Sequence, residues 1–232
     1  MELLSRPWFR LTAVAVITLV GLFVVGIVGA QANPPIPLPY RDSLVSTPHL
    51  LEEWDISVSR ARYVPDGYEI LVKEPGRTAA TIPDTWHDWD LTIGVSVEFR
   101  PIGGSWSDDD AAPSAGVICT SDDADYDFRV GVDGRYAVRR WSGVGAGRTS
   151  KLLASNITLG APKVTMRSSV RLLVVCQRRA PTTLKLSVDG KEVLTVRDSD
   201  DARAWGRAGV IVGSGKERDV SVVFRDLLIT GR

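Results

Sequence analysis

The alternation of apolar and polar side chains over residues 91–100 constrains the possible folds of this chain more than any other feature. Polar residues or glycine separate five apolar positions, which are Leu91, Ile93, Val95, Val97 and Phe99. Because successive side chains of a β-strand point to opposite faces, this pattern predicts a strand with one buried and one solvated face. Residues 126–132 alternate in the same way, and we expect their polar members, Asp127 and Arg129, to face solvent.

Two Asp-Gly dipeptides mark the turns of predicted β-hairpins. Asp133-Gly134 and Asp189-Gly190 each separate two strand-like runs. Asp-Gly readily takes the positive φ angles that a two-residue hairpin loop requires. Further strand-like segments are 54–59, 67–72, 115–120, 170–177, 208–212 and 220–229. About a dozen short strands, with no long capped helical pattern after residue 40, predict an all-β protein built as a two-sheet antiparallel β-sandwich or jelly roll.

The order of these strands and turns resembles the concanavalin A-like lectin/glucanase superfamily, in particular its LamG-like domains. The likeness covers about residues 41–232 and depends on four motifs. In sequence order they are Asp133-Gly134-Arg135-Tyr136, Val188-Asp189-Gly190, Gly206-Arg207-Ala208-Gly209-Val210 and Phe224-Arg225-Asp226-Leu227. The resemblance implies a jelly-roll fold that binds a glycan or a surface protein and, in many relatives, a calcium ion beside the binding rim.

The N-terminal region has the composition of an export segment. Residues 11–30 carry no charge, follow Arg6 and Arg10, and are long enough for a helix that crosses a bilayer. Two interpretations stay open, a retained transmembrane anchor or a secretory signal cleaved after Ala32, where the sequence has a small-x-small pattern. The basic residues before the apolar run predict a cytoplasmic N terminus and an extracytoplasmic C-terminal domain.

We therefore divide the chain into four parts: a cytoplasmic segment 1–10, a transmembrane or signal helix 11–30, a Pro-rich linker 31–44 and a LamG-like β-sandwich domain 45–232. The length after the export segment suits one sandwich domain. The predicted location is the cell membrane, with a single pass and the C-terminal domain outside, or the exterior if the segment is cleaved.

The cysteine count and the charge pattern agree with this location. Cys119 and Cys176 both lie in the predicted exported part, where a pair of cysteines is typically oxidised. We predict a disulfide between them, and two buried free thiols are the alternative. Lys plus Arg and Asp plus Glu each total 28, and the charges are interspersed, so nucleic acid is not a predicted partner.

Catalytic patterns are weak in this sequence. The glucanase relatives use E-x-D-x-x-E, which the chain lacks, and Glu98 is isolated on its strand. Asp125 and Asp127 alternate, but a solvated strand face explains them. Residues 98–100 and 114–117 also resemble 3-keto-disaccharide hydrolase domains, although the Asn and Arg of that pattern are missing. No catalytic residue is predicted.

Tryptophans in or beside predicted loops are candidate ligand-binding residues, because flat aromatic rings stack on the apolar faces of sugars. The candidates are Trp86, Trp106 and Trp141. The alternative interpretation is that such rings close the ends of the sandwich core. Asp127 and Arg129 are polar candidates for the same role.

Acidic loop residues are candidate calcium ligands, because calcium takes several oxygen ligands from flexible loops. The candidates are Asp108, Asp122 and Asp123, although their spacing matches no calcium-loop motif and solvated loop charge is the alternative. No other cofactor is predicted. The leading hypothesis is a non-catalytic extracytoplasmic module, attached to the membrane by its N-terminal segment or secreted, that binds an envelope glycan or a surface protein. The alternative is a carbohydrate-active hydrolase of the 3-keto-disaccharide or glucanase type.

Overall fold

The computed structural model describes residues 37–45, 50–83, 90–100, 112–121, 124–143, 148–156, 169–177, 181–199 and 205–231. All of them belong to one compact unit, Pro35–Arg232. Within these ranges the secondary structure consists of fifteen β-strands, and no helix there is long and apolar enough to cross a membrane. The predicted export segment lies outside the described residues.

The larger of two antiparallel sheets has nine strands. In spatial order, eight of them are β13 (Lys191–Asp198), β12 (Thr182–Val188), β11 (Ser169–Gln177), β6 (Leu91–Arg100), β15 (Val220–Gly231), β4 (Gly67–Val72), β3 (Ser59–Val64) and β2 (Trp54–Asp55). The ninth, β1 (Tyr40–Asp42), pairs with the C-terminal half of β15.

The smaller sheet has six strands and carries the site described below. In spatial order they are β10 (Thr149–Asn156), β9 (Tyr136–Ser142), β8 (Ala124–Gly131), β7 (Ser114–Ser121), β14 (Trp205–Gly213) and β5 (Thr78–Thr81). The two antiparallel sheets confirm the predicted all-β fold class.

The hydrophobic core lies between the sheets and follows the period-two pattern of the sequence. The five apolar residues of β6 are all fully buried, and so are Tyr126, Phe128 and Val130 of β8. Cys119 of β7 and Cys176 of β11 form a disulfide that joins the smaller sheet to the larger one through this core. The predicted disulfide is therefore confirmed.

The two Asp-Gly hairpins adopt different loops. Asp189 and Gly190 both have positive φ, 48° and 79°, as a two-residue type I′ loop requires. In the other hairpin Gly134 has a φ of 81°, whereas Asp133 is not in the left-handed region. The Gly134 N–H donates to the Gly131 carbonyl at 3.0 Å, which makes residues 131–134 a turn that ends in a left-handed glycine. This loop is therefore wider than the predicted two-residue turn.

Strand boundaries differ from the sequence prediction in three places. The sheet begins inside the predicted linker, because β1 pairs with β15 and Leu44 is fully buried. Segment 54–59 is not one strand: it contains the two-residue strand β2 and the first residue of β3, separated by a turn in which the Ile56 N–H donates to the Ser59 carbonyl. Residues 60–64 of β3 and all of β5 and β10 were not predicted; β5 has only four residues, and β10 is an edge strand without a clean alternation of burial.

Candidate functional site

The candidate site lies on the outer face of the six-stranded sheet, which is the face directed away from the core. On β8 this face carries Asp127 and Arg129, which alternate with the core residues Tyr126 and Phe128. In the register of β8 and β9, Asp127 lies opposite Arg139, and Arg129 lies opposite Ala137. These side chains therefore share one surface.

A hydrogen-bonded triad holds three of the predicted ligand-binding residues together. Arg129 Nη2 and Trp141 Nε1 both donate to Asp127 Oδ2, each at 2.7 Å. The Asp127 side chain is 0% exposed and that of Arg129 is 7% exposed. The expectation that Asp127 and Arg129 face solvent is therefore wrong.

Glycines on neighbouring strands explain this burial. Arg129 lies opposite Gly116 of β7, and its guanidinium extends to β14, where a Cβ at Gly213 would stand 2.5 Å from Arg129 Nη1. Arg129 Nη1 also donates to Thr78 Oγ1 of β5 at 3.5 Å. Because these glycines have no side chains, the Arg129 guanidinium lies along the sheet. The polar residues of β8, which the sequence pattern places in solvent, therefore bury one another.

The triad leaves two buried polar atoms without hydrogen bonds. Asp127 Oδ1 and Arg129 Nε are inaccessible and have no partner among the described residues. Burying a charged pair that is only partly hydrogen-bonded is costly, and such pairs contribute less to stability than a well-packed apolar pair would. The triad is therefore better explained as a device that positions Arg129 than as a source of stability.

A depression of about 390 Å³ opens beside the triad, at the end of the β8–β9 hairpin. Its lining combines two small residues, Gly131 and Ala137, with larger side chains. The lining residues are Ala112, Ser114, Arg129, Gly131, Asp133, Arg135, Ala137, Arg139, Leu152 and Ser155. We call this depression the arginine pocket, because three of its wall residues are Arg129, Arg135 and Arg139.

The arginine pocket has an excess of positive charge. Its lining holds three guanidinium groups and one carboxylate, that of Asp133, which pairs with Arg135 at 3.4 Å. Asp127, which does not line the pocket, offsets the charge of Arg129. Arg139 is half-buried and makes no hydrogen bond or ion pair within the described part of the chain. Among the described residues, one positive charge in the pocket therefore has no compensating carboxylate.

Trp141 lies next to the pocket but does not line it. Its indole N–H is used by Asp127, and the Arg148 guanidinium lies over its ring, 5.0 Å from the centroid. Arg148 also forms an ion pair with Asp125. Burial nevertheless raises the pKa of Asp125, and the neighbouring Asp127 carboxylate adds to this effect. In this arrangement the ring of Trp141 packs against a cation and orients Asp127.

Glu98 is separated from these carboxylates. It lies on the outer face of the nine-stranded sheet, where it accepts a hydrogen bond from Arg225 Nη1 at 2.7 Å. The core stands between Glu98 and the face that carries Asp125 and Asp127. The structure therefore does not bring Glu98 together with either aspartate.

The other predicted site residues fall outside the described residues. They are Trp86, Trp106, Asp108, Asp122 and Asp123. Within the described ranges, no three His, Cys, Asp or Glu side chains gather as a metal site would require. Sequence reasoning missed Arg135 and Arg139, although one signal was present: Arg139 precedes Trp141 by two residues and so shares its strand face.

Comparisons with known proteins find similar folds among solved structures but no related sequence. No protein-family model and no curated protein matches the chain. Among solved structures, the carbohydrate binding module CBM66 from Bacillus subtilis has a TM-score of 0.55 at 13% identity, covering 75% of this chain and 92% of that chain. The apo Crh5 transglycosylase has a TM-score of 0.57 at 12% identity, covering 84% and 85%. A sialidase has a TM-score of 0.55 at 9% identity, covering 84% of this chain and 19% of its own.

At these identities the similarity shows a common fold and nothing finer. The chain is a two-sheet β-sandwich of the class that occurs in a carbohydrate binding module and in a transglycosylase. The narrower resemblance to LamG-like domains stays a prediction, since no family model matches.

Proposed function

We propose that this protein is a non-catalytic glycan-binding module that acts outside the cytoplasm, tethered by residues 11–30 or secreted. The observation that carries the proposal is the arginine pocket on the outer face of the six-stranded sheet. Its volume of about 390 Å³ lies within the range typical of small-molecule sites. The fold that the chain shares with a carbohydrate binding module adds support from analogy.

The lining of the pocket suits a saccharide. Guanidinium and hydroxyl groups from Arg139, Ser114 and Ser155 supply hydrogen-bond donors for ring and hydroxyl oxygens. Leu152, which is 52% exposed at the rim, supplies an apolar surface for the C–H face of a sugar ring. The lining thus combines polar groups that can fix the orientation of a ligand with an apolar contact surface.

The extracytoplasmic location has two supports. The apolar run 11–30 has the length and basic flank of an export segment. The disulfide between Cys119 and Cys176 belongs to an oxidising compartment, since thiols in the cytosol are kept reduced. Together they favour a module that meets its ligand at or beyond the cell surface.

The second candidate is a carbohydrate-active hydrolase, and one observation favours it. Asp125 and Asp127 stand on one strand face, and the pKa of Asp125 is raised, as that of a general acid would be. Asp127, however, is fully buried, and both Arg129 and Trp141 donate to it. A carboxylate with no exposed oxygen cannot reach a glycosidic bond, so binding is the better-supported function.

The test is to block the pocket and measure retention by polysaccharides. Ala137→Trp places a large side chain at a position that lines the pocket, and it removes no side-chain hydrogen bond. Ser187→Trp is the matched control, because Ser187 is also small and half-buried but lies on the outer face of the nine-stranded sheet. Both variants and the unchanged full-length protein are run by affinity electrophoresis through gels containing neutral or acidic polysaccharides, with release of reducing ends assayed in parallel.

We expect at least one polysaccharide to retard the unchanged protein and Ser187→Trp but not Ala137→Trp, and we expect no reducing ends to be released. Release of reducing ends that stops in Asp125→Asn would establish the hydrolase instead. Retardation that is equal in both tryptophan variants would place the glycan site elsewhere. If no polysaccharide retards the folded protein, glycan binding is wrong and a surface protein becomes the better partner.

A further inference from the structure

We propose that the arginine pocket recognises the carboxylate of an acidic sugar, such as a uronic acid unit within a polysaccharide, and that it does so without calcium. The inference rests on the proposed glycan-binding function and names the chemical class of the ligand. Three features of the described residues carry it: an arginine without a partner, a lining carboxylate that is already paired, and an excess of one positive charge.

Arg139 is the residue assigned to contact the carboxylate. It is half-buried on β9, opposite Asp127 in the strand register, yet Asp127 Oδ2 accepts from Arg129 and Trp141, and Asp127 Oδ1 is buried. Partial burial of a guanidinium without a carboxylate partner is energetically unfavourable, and a bound anion would relieve this desolvation penalty. Its planar fork of N–H donors matches the two oxygens of a carboxylate, and bidentate pairs of this kind are the strong ones.

The carboxylate that lines the pocket is already engaged by protein donors. Its one lining carboxylate, Asp133, accepts from the Arg135 backbone N–H at 3.0 Å and pairs with Arg135 Nε at 3.4 Å. The sugar hydroxyls of a neutral ligand need acceptors as well as donors, whereas a carboxylate is an acceptor only. The donor-rich lining therefore fits an anionic sugar better than a neutral one.

The charge balance points to a ligand with a single negative charge. Asp127 and Asp133 offset two of the three pocket arginines, Arg129 and Arg135, and Arg139 remains. A uronate carries one negative charge and completes the balance. A calcium bridge between ligand and protein is not required, because the pocket itself supplies the positive charge.

The triad prepares the pocket for this ligand before it binds. Asp127 and Trp141 hold Arg129 in a fixed orientation with two hydrogen bonds of 2.7 Å. Because Gly213 has no side chain, the Arg129 guanidinium keeps its position along the sheet; a Cβ there would stand 2.5 Å from Arg129 Nη1. A preorganised positive wall reduces the conformational entropy lost on binding.

The experiment compares polymers that differ only in the carboxylate. The full-length protein is titrated with polygalacturonate and with alginate, and with the methyl or propylene glycol ester of each, in buffer containing EDTA. Dextran and dextran sulfate separate a response to a sulfate group from a response to carboxylate. Three variants follow: Arg139→Gln, Arg139→Lys and the control Arg62→Gln, which removes an arginine whose side chain is 49% exposed on the opposite outer face.

We expect binding to at least one carboxylated polymer in EDTA and binding to its ester at least about 10-fold weaker. Arg139→Gln should lower the affinity by about 10- to 100-fold, because a charge-assisted hydrogen-bond pair is lost. The affinity of Arg139→Lys should lie between those of the unchanged protein and Arg139→Gln, since lysine keeps the positive charge but lacks the planar fork of donors. Arg62→Gln should bind as the unchanged protein does, and added salt should weaken binding.

The outcomes separate the two proposals. Equal binding of acid and ester, or binding of neutral dextran alone, overturns the carboxylate assignment and leaves the glycan-binding function intact. Binding of dextran sulfate without either uronate polymer assigns the pocket to a sulfate ester and also overturns it. A requirement for calcium contradicts calcium-free recognition, and full affinity in folded Arg139→Gln contradicts the role of Arg139. No binding to any polymer by the folded protein overturns both.

Discussion

The two outer faces of the sandwich both carry arginines, but the partners of these side chains differ. On the nine-stranded sheet four arginines share three carboxylates at distances from 2.6 to 3.9 Å. The arginines are Arg60, Arg62, Arg100 and Arg225, and the carboxylates are Asp66, Glu69 and Glu98. On the six-stranded sheet Arg129 is buried against a single carboxylate, and Arg139 has no partner within the described residues.

The difference shows how similar residue types serve two purposes. Arginines that each contact a carboxylate on an exposed strand face contribute little to stability. A face that leaves one guanidinium uncompensated inside a depression retains a donor for a ligand. The pKa values follow the same division: hydrogen bonds from Arg100 and Arg225 lower the pKa of Asp66, whereas burial raises that of Asp125.

The largest expected effect comes from removing one carboxylate on each face. Asp127→Ala leaves the Arg129 charge buried without its partner and should lower the free energy of unfolding by about 3–5 kcal/mol. Asp66→Ala should cost less than about 1 kcal/mol, because Arg225 retains Glu98 and both side chains are partly exposed. Urea denaturation of both variants measures the difference. Equal losses would mean that the two faces do not differ as described.

Removing the disulfide tests the structure that both faces share. The double variant Cys119→Ala/Cys176→Ala should lose about 2–4 kcal/mol, because the bond closes a separation of 57 residues. The loss should be the same in an Asp66→Ala background and in an Asp127→Ala background, since the bond lies in the core between the faces. Denaturation of the combined variants checks this additivity. A strong coupling to Asp127 alone would tie the disulfide to the pocket.

The two hairpin glycines separate stability from binding. Gly134→Ala and Gly190→Ala each place a Cβ at positive φ with nothing within 4 Å, so each should cost about 1–2 kcal/mol through backbone strain. Only Gly134 belongs to the loop that holds Asp133 and Arg135 beside the pocket. We expect Gly134→Ala to weaken polysaccharide binding several-fold and Gly190→Ala to leave it unchanged. Equal affinity in both variants would show that this loop does not shape the site.

The smallest expected effect is an opposite response to acid. The lowered pKa of Asp66 means that its ionised form stabilises the folded state above the unfolded pKa and that this contribution is lost as the pH falls. The raised pKa of Asp125 has the opposite sign, so its contribution is present at low pH and is lost as the pH rises through the folded pKa.

Asp66→Asn should therefore be more destabilising at pH 7 than at about pH 3, and Asp125→Asn more destabilising at about pH 3 than at pH 7. For partly exposed carboxylates these differences are expected to stay below about 1 kcal/mol. Denaturation of both variants and the unchanged protein at the two pH values measures them. If the destabilisation caused by the two variants changed with pH in the same direction, the two faces would not differ electrostatically as described.

Much of the sandwich could be predicted from residue patterns, because burial between two sheets imposes a period of two on the sequence. Strand β4 was predicted with its observed bounds, and the inward face of β6 was predicted residue by residue. The edge strand β10 escaped prediction for the same reason: it buries no face consistently, so its alternation is weak. The disulfide could be predicted from the expected compartment and from the number of cysteines, since only two are present.

The site could be predicted only in part. Asp127, Arg129 and Trp141 were named as candidates, but their contact depends on pairing between β8 and β9 and on a hairpin loop wider than the expected one. The burial of Arg129 depends on Gly213, which is 84 positions later in the sequence and reaches it through β14. Alternation cannot distinguish a solvated polar face from one that is covered by its own side chains.

The sequence by itself determined the β-class, the inward side chains and the cysteine pair, because each follows from local periodicity or composition. The tertiary structure decided which charges neutralise one another and which remain available. That decision depends on strand order and register, which place Arg139 across from an aspartate already bonded to Arg129 and Trp141. Electrostatic compensation depends on distances between atoms far apart in the chain, and only the folded sheet defines them.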